Sequence, residues 1–347
     1  MNINNGVAAS PAAIPPRLRI LLSIPEPERA AFLPAATLAA LNGLGDITEI
    51  APAELQSLDA FATAAAGQDV FVTAWGFPRL DAEHLEQAPD LKCVVHAASS
   101  LHALVSDEFW ASGIPISQAG AAMAPAVAEL SLALTLSLLR RIGRLDHSLR
   151  TGASWEAARD VRRAREIAGA RIGVVGASRT GRRYIDACRA LGAAVSVYDP
   201  YLPDDDPLAA HATSLAGLFA SSDVVAVHAP STRETQGLIG ATELALLSDG
   251  AAFVNTARST IVDMEALYRE VSSGRIDAAL DVFDSEPLPA GDPWRSLPNV
   301  LLTPHLGGAT TGSRRRAGQI VVDELRRFAA GQPMAHALSR ADLERMG

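Results

Sequence analysis

Arg171-Ile-Gly-Val-Val-Gly176-Ala-Ser178-Arg179-Thr180-Gly181 decides the fold of this chain. A short apolar run, rich in β-branched residues, reaches a glycine and gives way to residues that suit the first turn of a helix. Strand, tight turn and helix in that order are the unit from which parallel sheets are built. In the strict dinucleotide-phosphate turn, one glycine makes the bend, a second admits the pyrophosphate, and a third lets helix and strand approach closely. Here the middle glycine is Ser178, small and able to donate a hydrogen bond to phosphate. By itself the turn reads equally well as an ordinary tight βα connection.

The same rhythm extends in both directions. Downstream, strands are expected at 171–175, 194–198, 223–227, 251–255, 276–281 and 299–303, enough for one doubly wound domain. Upstream, strands are expected over Leu18–Ile24, Val70–Ala74, Leu91–His96 and Ile114–Ser117, with helices over Glu28–Leu44 and Asp81–Gln87. Between the two series, Ala124-Pro125 opens a helix that should run to about Arg144. Proline suits the first turn because the amide it lacks has no partner there. The stretch between Glu129 and Arg140 is apolar on every side, so it should be buried all round, as an interdomain spine or a dimer contact. Asp199–Pro207 is a loop by composition, and Thr311–Ala330 is an amphipathic helix whose Arg314-Arg-Arg run reads as a solvated face. Residues 1–16 read as a loose, disordered leader without the pattern of a signal peptide.

At 347 residues, two domains are expected. A net charge of −9 argues against a nucleic-acid surface. The longest uncharged apolar run, Leu130–Leu139, is too short to span a bilayer. The only cysteines, Cys93 and Cys188, sit in apolar segments and should be buried thiols, which suits a reducing, cytoplasmic location.

Asp199 adds weight to the turn. It ends the strand Val195-Ser-Val-Tyr-Asp199, where an acidic side chain meets adenosine ribose hydroxyls and repels the extra phosphate of NADP. Asp204-Asp-Asp206 should add to that field; the plainer alternative is a turn aspartate before Pro200. Further on, Arg258, Glu286 and His305 each stand where a strand-like run ends. Ligands of open parallel sheets bind outside the carboxyl ends of the strands. A cation, a carboxylate and an imidazole at one edge could hold an anionic substrate and move a proton. Taken singly, each has an ordinary reading as a surface ion pair, a solvated turn or a helix cap.

From about Ala124 to Gln319 the chain resembles the D-isomer-specific 2-hydroxyacid dehydrogenases. The resemblance rests on Val127-Ala-Glu-Leu, the phosphate turn, Val197-Tyr-Asp-Pro, His228-Ala229-Pro230, Asn255-Thr256-Ala257-Arg258, Ala279-Leu-Asp281-Val-Phe-Asp-Ser-Glu286-Pro-Leu and Thr303-Pro-His305-Leu-Gly307-Gly308-Ala-Thr, in that order. It implies a two-domain α/β fold, with a Rossmann-type NAD domain (124–309) inserted in a flavodoxin-like substrate domain (1–123, with 310–347 returning to it). It implies NAD-dependent interconversion of a 2-keto acid and a D-2-hydroxy acid in a homodimer, with domain closure excluding water.

By the same resemblance, Arg258 would bind the substrate carboxylate and keto oxygen, and His305 would be the general acid/base. Glu286 would orient His305 and raise its proton affinity, and Asp281 would hold the nicotinamide carboxamide. Gly176, Ser178, Arg179, Thr180, Gly181, Asp199, Ala229, Pro230, Thr256, Ala257, Gly307 and Gly308 would line the cofactor. Ser99 and Ser100, in the loop His96-Ala-Ala-Ser-Ser, would touch substrate. Three departures stand out: Ser178, Ser259 after the arginine, and the missing glycine in that substrate loop. Trp75 and Phe77 could wall the pocket or belong to the core. His96 and His102 could line the pocket or be satisfied structural histidines, and His228 is expected to pack near the pyrophosphate without doing chemistry. Phosphoglycerate is a weaker expectation, because no pair of basic residues in the first half marks a phosphate-bearing substrate. A competing class is an NAD(H)-sensing corepressor of the same fold.

Overall fold

The computed structural model describes residues 17–26, 28–159 and 163–346. The leader expected at 1–16 lies outside the described residues. Boundaries between Ala119 and Gly120, Ala317 and Gly318, and Leu338 and Ser339 divide the chain into two compact units.

The first unit carries one sheet, built from β1 (Leu18–Ser23), β2 (Gly45–Glu49), β3 (Val70–Thr73), β4 (Cys93–His96) and β5 (Ile116–Gln118). These pair in parallel in the order 5-4-3-1-2, the flavodoxin-like order. β3, β4 and β5 are buried along their whole length, which is why they read as continuous apolar runs. β2 escaped the sequence reading because Gly45-Asp-Ile-Thr-Glu is a mostly exposed edge strand with little apolar content. The helix expected over Glu28–Leu44 is two helices, Glu28–Phe32 and Ala35–Asn42, because Pro34 interrupts it.

The second unit carries β6 (Arg171–Val175), β7 (Ala194–Tyr198), β8 (Val224–Val227), β9 (Ala252–Asn255), β10 (Asp277–Leu280) and β11 (Val300–Leu302). They are parallel throughout, in the order 11-10-9-8-6-7. Beyond β7, Ala212 makes a single parallel bridge to Val197. With that vestigial passage counted, the order is the doubly wound one of dinucleotide domains. The last strand, β12 (Ala337–Leu338), belongs to the first unit and completes its sheet by pairing antiparallel with β5.

The long apolar helix is shorter than expected. It spans Ala124–Leu139 and stops because Arg141 takes a left-handed backbone (φ 56°), after which a new helix, Ile142–Arg150, begins. The turn sends the buried Arg141 guanidinium to Asp277, 3.1 Å away at the foot of β10. Nor is the helix buried all round, since Glu129 and Ala133 are exposed. Extended to Gly120–Leu139, with Glu129 inside it, it is long and apolar enough, by length and composition, to cross a membrane, which the run Leu130–Leu139 alone did not suggest. It behaves as a core helix: Ala128, Leu134, Leu138 and Leu139 pack with Ile172, Val174, Tyr184 and Val254. Thr135 Oγ1 and Tyr184 Oη lie 2.7 Å apart, so this buried polar pair is mutually satisfied. Arg314 corrects another expectation: it is buried, while Arg315 and Arg316 are exposed. Both cysteines are free and fully buried, and burial pushes the Cys188 thiol up to about 11.

The two sheets share a clamp at their amino edges. Asp69, just before β3, accepts the Arg19 amide (2.9 Å) and the Arg19 guanidinium. Asp223, just before β8, does the same for Arg171, with an amide distance of 2.9 Å. In both, the aspartate amide answers to the arginine carbonyl at 2.8 Å. Hydrogen bonds from Arg19 outweigh burial and hold the Asp69 carboxyl well below the usual range. At Asp223, burial raises the value, but the hydrogen bonds and charge of Arg171, with the charge of Arg165, outweigh it and lower it.

A carboxyl depressed in the folded state stabilises above its unfolded value and loses that contribution as pH falls through the folded value. Because Arg19 and Arg171 are 49% and 54% exposed, screening keeps the effect near the low end for charge-assisted bonds. Asp69→Asn and Asp223→Asn should each cost about 1.5 kcal/mol at pH 7. Denaturant titrations should show the penalty shrinking below about pH 4, and a penalty independent of pH would overturn the account.

Candidate active site

Every polar group of interest in the second unit stands at the carboxyl edge of its sheet. At the end of β6, Gly176 has φ +97°, and a Cβ there would lie 2.5 Å from the Ala229 amide nitrogen. Gly181 is equally constrained, since its Cβ would meet the Gly176 carbonyl at 2.1 Å. Ser178 is not: with φ −61° it caps the helix Arg179–Ala190, its hydroxyl accepting the Gly181 amide at 3.2 Å. The sequence departs from the strict glycine pattern only where the backbone does not demand glycine. Helix geometry leaves the first amides, those of Arg179 and Thr180, without intrahelical acceptors, and a phosphate fits such a terminus. A bent turn that leaves no room for side chains, followed by a capped helix, fits a dinucleotide.

Asp199 ends β7. Its Oδ2 accepts the Ala177 amide (2.8 Å) and its Oδ1 the Tyr201 amide (3.0 Å), so it braces the turn while each oxygen keeps a second acceptor position. The acidic field expected from Asp204-Asp-Asp206 is weaker than its composition, because Asp206 pairs with Arg182 at 2.5 Å. Tyr201 Oη instead contacts Glu234, so another carboxylate reaches this edge, one the sequence reading missed. Ala229 is buried and Pro230 half-buried beside Gly176. His228 is buried against Tyr184 with ring centroids 4.8 Å apart, and burial pushes it down to about 3. That neutral, enclosed ring matches the structural role expected for it.

Beyond β9, buried Asn255 shapes the next segment. Its side chain donates to the Arg258 carbonyl (2.9 Å) and accepts the Ala257 amide (3.0 Å). These two bonds hold Arg258 extended, at φ −150° and ψ 143°. In the sequence Asn255 has no role beyond its place in the motif; an asparagine three residues before a strand-end arginine is the signal. Thr256 is also buried, 2.6 Å from Ser131 Oγ. Ser259 is buried in a single helical turn and does not take a positive φ, so the family glycine is not needed there. Arg258 is half-buried and gives one guanidinium N–H to the Ala257 carbonyl (2.7 Å). Burial lowers its pKa, opposed by the charge of Glu286.

His305 and Glu286 meet directly. His305 Nδ1 lies 2.6 Å from Glu286 Oε2, and Glu286 Oε1 accepts the Phe283 amide at 2.9 Å. Burial raises the Glu286 carboxyl, but the bonds from His305 and Phe283 and the charges of His305 and Arg258 outweigh it and lower it. The pair is half-exposed, and Nδ1 facing the carboxylate leaves Nε2 as the ring atom free to exchange a proton.

His305 also has φ +52°, the left-handed region that side chains other than glycine avoid. That conformation costs roughly 1–2 kcal/mol. Asp281, 1% exposed, accepts Thr303 Oγ1 (2.6 Å), the Leu306 amide (3.0 Å) and the Gly307 amide (2.9 Å). Bonds to a carboxylate contribute about 1.5–3 kcal/mol each, enough to outweigh the strain. The sequence gives Thr303 no role beyond its place in the motif; its position two residues before the histidine is the available signal.

In the first unit, Ser99 and Ser100 are exposed on the loop after β4. His96 is buried with Nδ1 2.9 Å from Thr73 Oγ1, and burial pushes it down to about 4, as a satisfied structural histidine. His102 is exposed. Phe77 is a core residue against Phe61 and Phe71, whereas Trp75 is partly exposed beside Phe32. Among the described residues, no group of three or more His, Cys, Asp or Glu is placed to hold a metal.

Residues 132–307 match the family described as D-isomer specific 2-hydroxyacid dehydrogenase, NAD binding domain. The hydroxypyruvate reductase of Thermotoga maritima is 35% identical over 251 residues, 71% of this chain and 80% of the relative. A D-3-phosphoglycerate dehydrogenase of Archaeoglobus fulgidus is 32% identical over 269 residues, 77% of this chain and 50% of the relative. The chain therefore spans about half the length of that second protein. The structure of D-2-hydroxyisocaproate dehydrogenase superposes with a TM-score of 0.81 over 92% of this chain and 99% of that one; at 24% identity it speaks for the fold alone. A family match over half of the chain, and a relative covered across 80% of its length, rest on the same stretch that carries the turn and the imidazole: the chain belongs to the D-isomer specific 2-hydroxyacid dehydrogenases.

Proposed function

We propose that this protein interconverts a small 2-keto acid and the corresponding D-2-hydroxy acid with NAD as cofactor. The observation that carries the reading is the 2.6 Å contact of His305 Nδ1 with Glu286 Oε2, at the strand edge that also presents Arg258. Glu286, held by the Phe283 amide, engages Nδ1 and so fixes the ring with Nε2 left for proton transfer. Nε2 of His305 then gives its proton to the carbonyl oxygen in reduction, and takes it back in oxidation. Arg258 keeps guanidinium donors beyond the one spent on Ala257, and its planar fork suits a carboxylate with an adjacent keto oxygen. The reduced nicotinamide, when bound, supplies the hydride to C2, so one keto acid and one proton are consumed for each NADH oxidised.

The turn Gly176–Gly181 holds the pyrophosphate, with Ala229, Pro230, Thr256, Ala257 and Gly308 along the same edge. Asp199 takes the ribose hydroxyls through its remaining acceptor positions, and its charge with that of Glu234 disfavours NADP. Asp281 holds the carboxamide. The NAD domain corresponds to 124–309, and the flavodoxin-like substrate domain to 1–123 with 310–347. Two buried free cysteines suit the reducing cytoplasm.

The working form is a homodimer. Ile142 and Leu149, seven residues apart and hence on one helix face, are exposed together with Trp155, which is 64% exposed. Three large apolar groups within fourteen residues mark a surface that another subunit covers.

Steady-state NADH oxidation with glyoxylate, hydroxypyruvate and branched keto acids tests the reaction. NADH binding without turnover on any of them would favour a nucleotide-sensing protein instead. His305→Ala should lower turnover about a hundredfold or more while NADH affinity changes little; equal turnover in mutant and parent would refute the assignment. Asp199→Ala should relax discrimination against NADPH, and equal use of both cofactors by the parent would refute the ribose contact. Leu149→Glu combined with Trp155→Glu should shift sedimentation from dimer to monomer, and an unchanged dimer would place the contact elsewhere.

A further inference from the structure

Asp281 does more than one aspartate needs to do for a carboxamide. An ionised carboxylate offers about four acceptor positions. Thr303 Oγ1 and the Leu306 amide take both positions on Oδ1, and the Gly307 amide takes one on Oδ2. One position on Oδ2 remains, on a residue that solvent scarcely reaches. The three filled positions are not scattered. They hold the segment on either side of His305, whose own amide bonds back to the Thr303 carbonyl at 3.0 Å. That residue carries the left-handed φ, so the imbalance is local: a strained histidine, and one buried carboxylate anchoring both of its flanks.

We propose that Asp281 and Thr303 are positioning residues that couple the seating of the nicotinamide to the geometry of the proton donor. The last acceptor position on Oδ2 is where a carboxamide N–H completes the set. A donor arriving there draws on the same carboxylate that holds the Leu306 and Gly307 amides. That position is complete only while the turn is formed, so a carboxamide bound there favours the formed turn by its differential affinity, and His305 is most firmly placed when the nicotinamide is home. A ligand with the adenosine and both phosphates but no nicotinamide reaches the Gly176–Gly181 turn and leaves Oδ2 untouched. The coupling rests on the proposed cofactor arrangement, and its test separates the two.

Amide hydrogen exchange at Leu306 and Gly307 is measured in the parent protein alone, with saturating NADH and with saturating ADP-ribose. NADH should slow exchange at both amides by about fivefold or more beyond ADP-ribose, the worth of one hydrogen bond. Equal protection by the two ligands, or none by either, overturns the coupling. Thr303→Val should speed exchange at the same amides, leave NADH affinity within about twofold and lower kcat about tenfold or more with little change in KM; Thr303→Ser should restore both. Thr303→Val indistinguishable from the parent also overturns the proposal. If Thr303→Val does not fold, the ligand comparison on the parent still decides. Absence of turnover with every keto acid would refute the proposed reaction, while the exchange difference between NADH and ADP-ribose would still decide the coupling.

Discussion

His305 is held in a backbone conformation that its side chain disfavours, and a single buried carboxylate behind it keeps the conformation in place. Asp281 can do this because it follows β10, between the ends of β9 and β11. Its own amide bonds to the Asn255 carbonyl of β9, and the Thr303 amide bonds to the Leu280 carbonyl of β10, both at 3.0 Å. Parallel pairing thus sets three strand ends in register, and their first residues past the sheet become fixed points. Asn255 shapes the segment that carries Arg258, Asp281 shapes the one that carries His305, and Phe283 positions Glu286. Each reactive group is aimed by a neighbour that is more buried than itself.

The opposite edges of the two sheets are built for a different purpose. There, Asp69 with Arg19 and Asp223 with Arg171 repeat one arrangement at equivalent positions, tying the strand before the crossover to the strand after it. Among the described residues, none of those assigned to the reaction stands at those ends. The amino edges hold strands together, and the carboxyl edge of the second unit presents chemistry, as expected where loops leave an open parallel sheet. Arg141 and Asp277 extend the same pattern, ending a helix and anchoring β10 with one buried ion pair.

Much of this was legible in the chain. The alternation of apolar runs with helical stretches announced two parallel sheets, and all six strands of the second unit lie close to their expected positions. Strand-end placement singled out Arg258, Glu286 and His305, and the structure brings Glu286 and His305 into contact. The misses share a cause. β2 carries too little apolar surface to announce itself, the end of the long helix depends on an ion pair with Asp277 more than a hundred residues away, and Arg314 is buried although its neighbours are not. Asn255 and Thr303 carry no charge to draw attention, and their importance lies wholly in what they touch.

The sequence by itself determined the period of the elements, the glycines that the phosphate turn requires and the identity of the groups that can bind an anion or carry a proton. These follow from local sterics and side-chain chemistry, which a linear chain displays directly. Only the tertiary structure decided that Ser178 could replace a glycine as a helix cap, and that Asp199 braces the turn it was expected to serve. It also decided that His305 takes a left-handed backbone anchored by Asp281. Hydrogen-bond partners distant in sequence and backbone angles set by competing contacts are properties of packed neighbours, and no residue carries them alone.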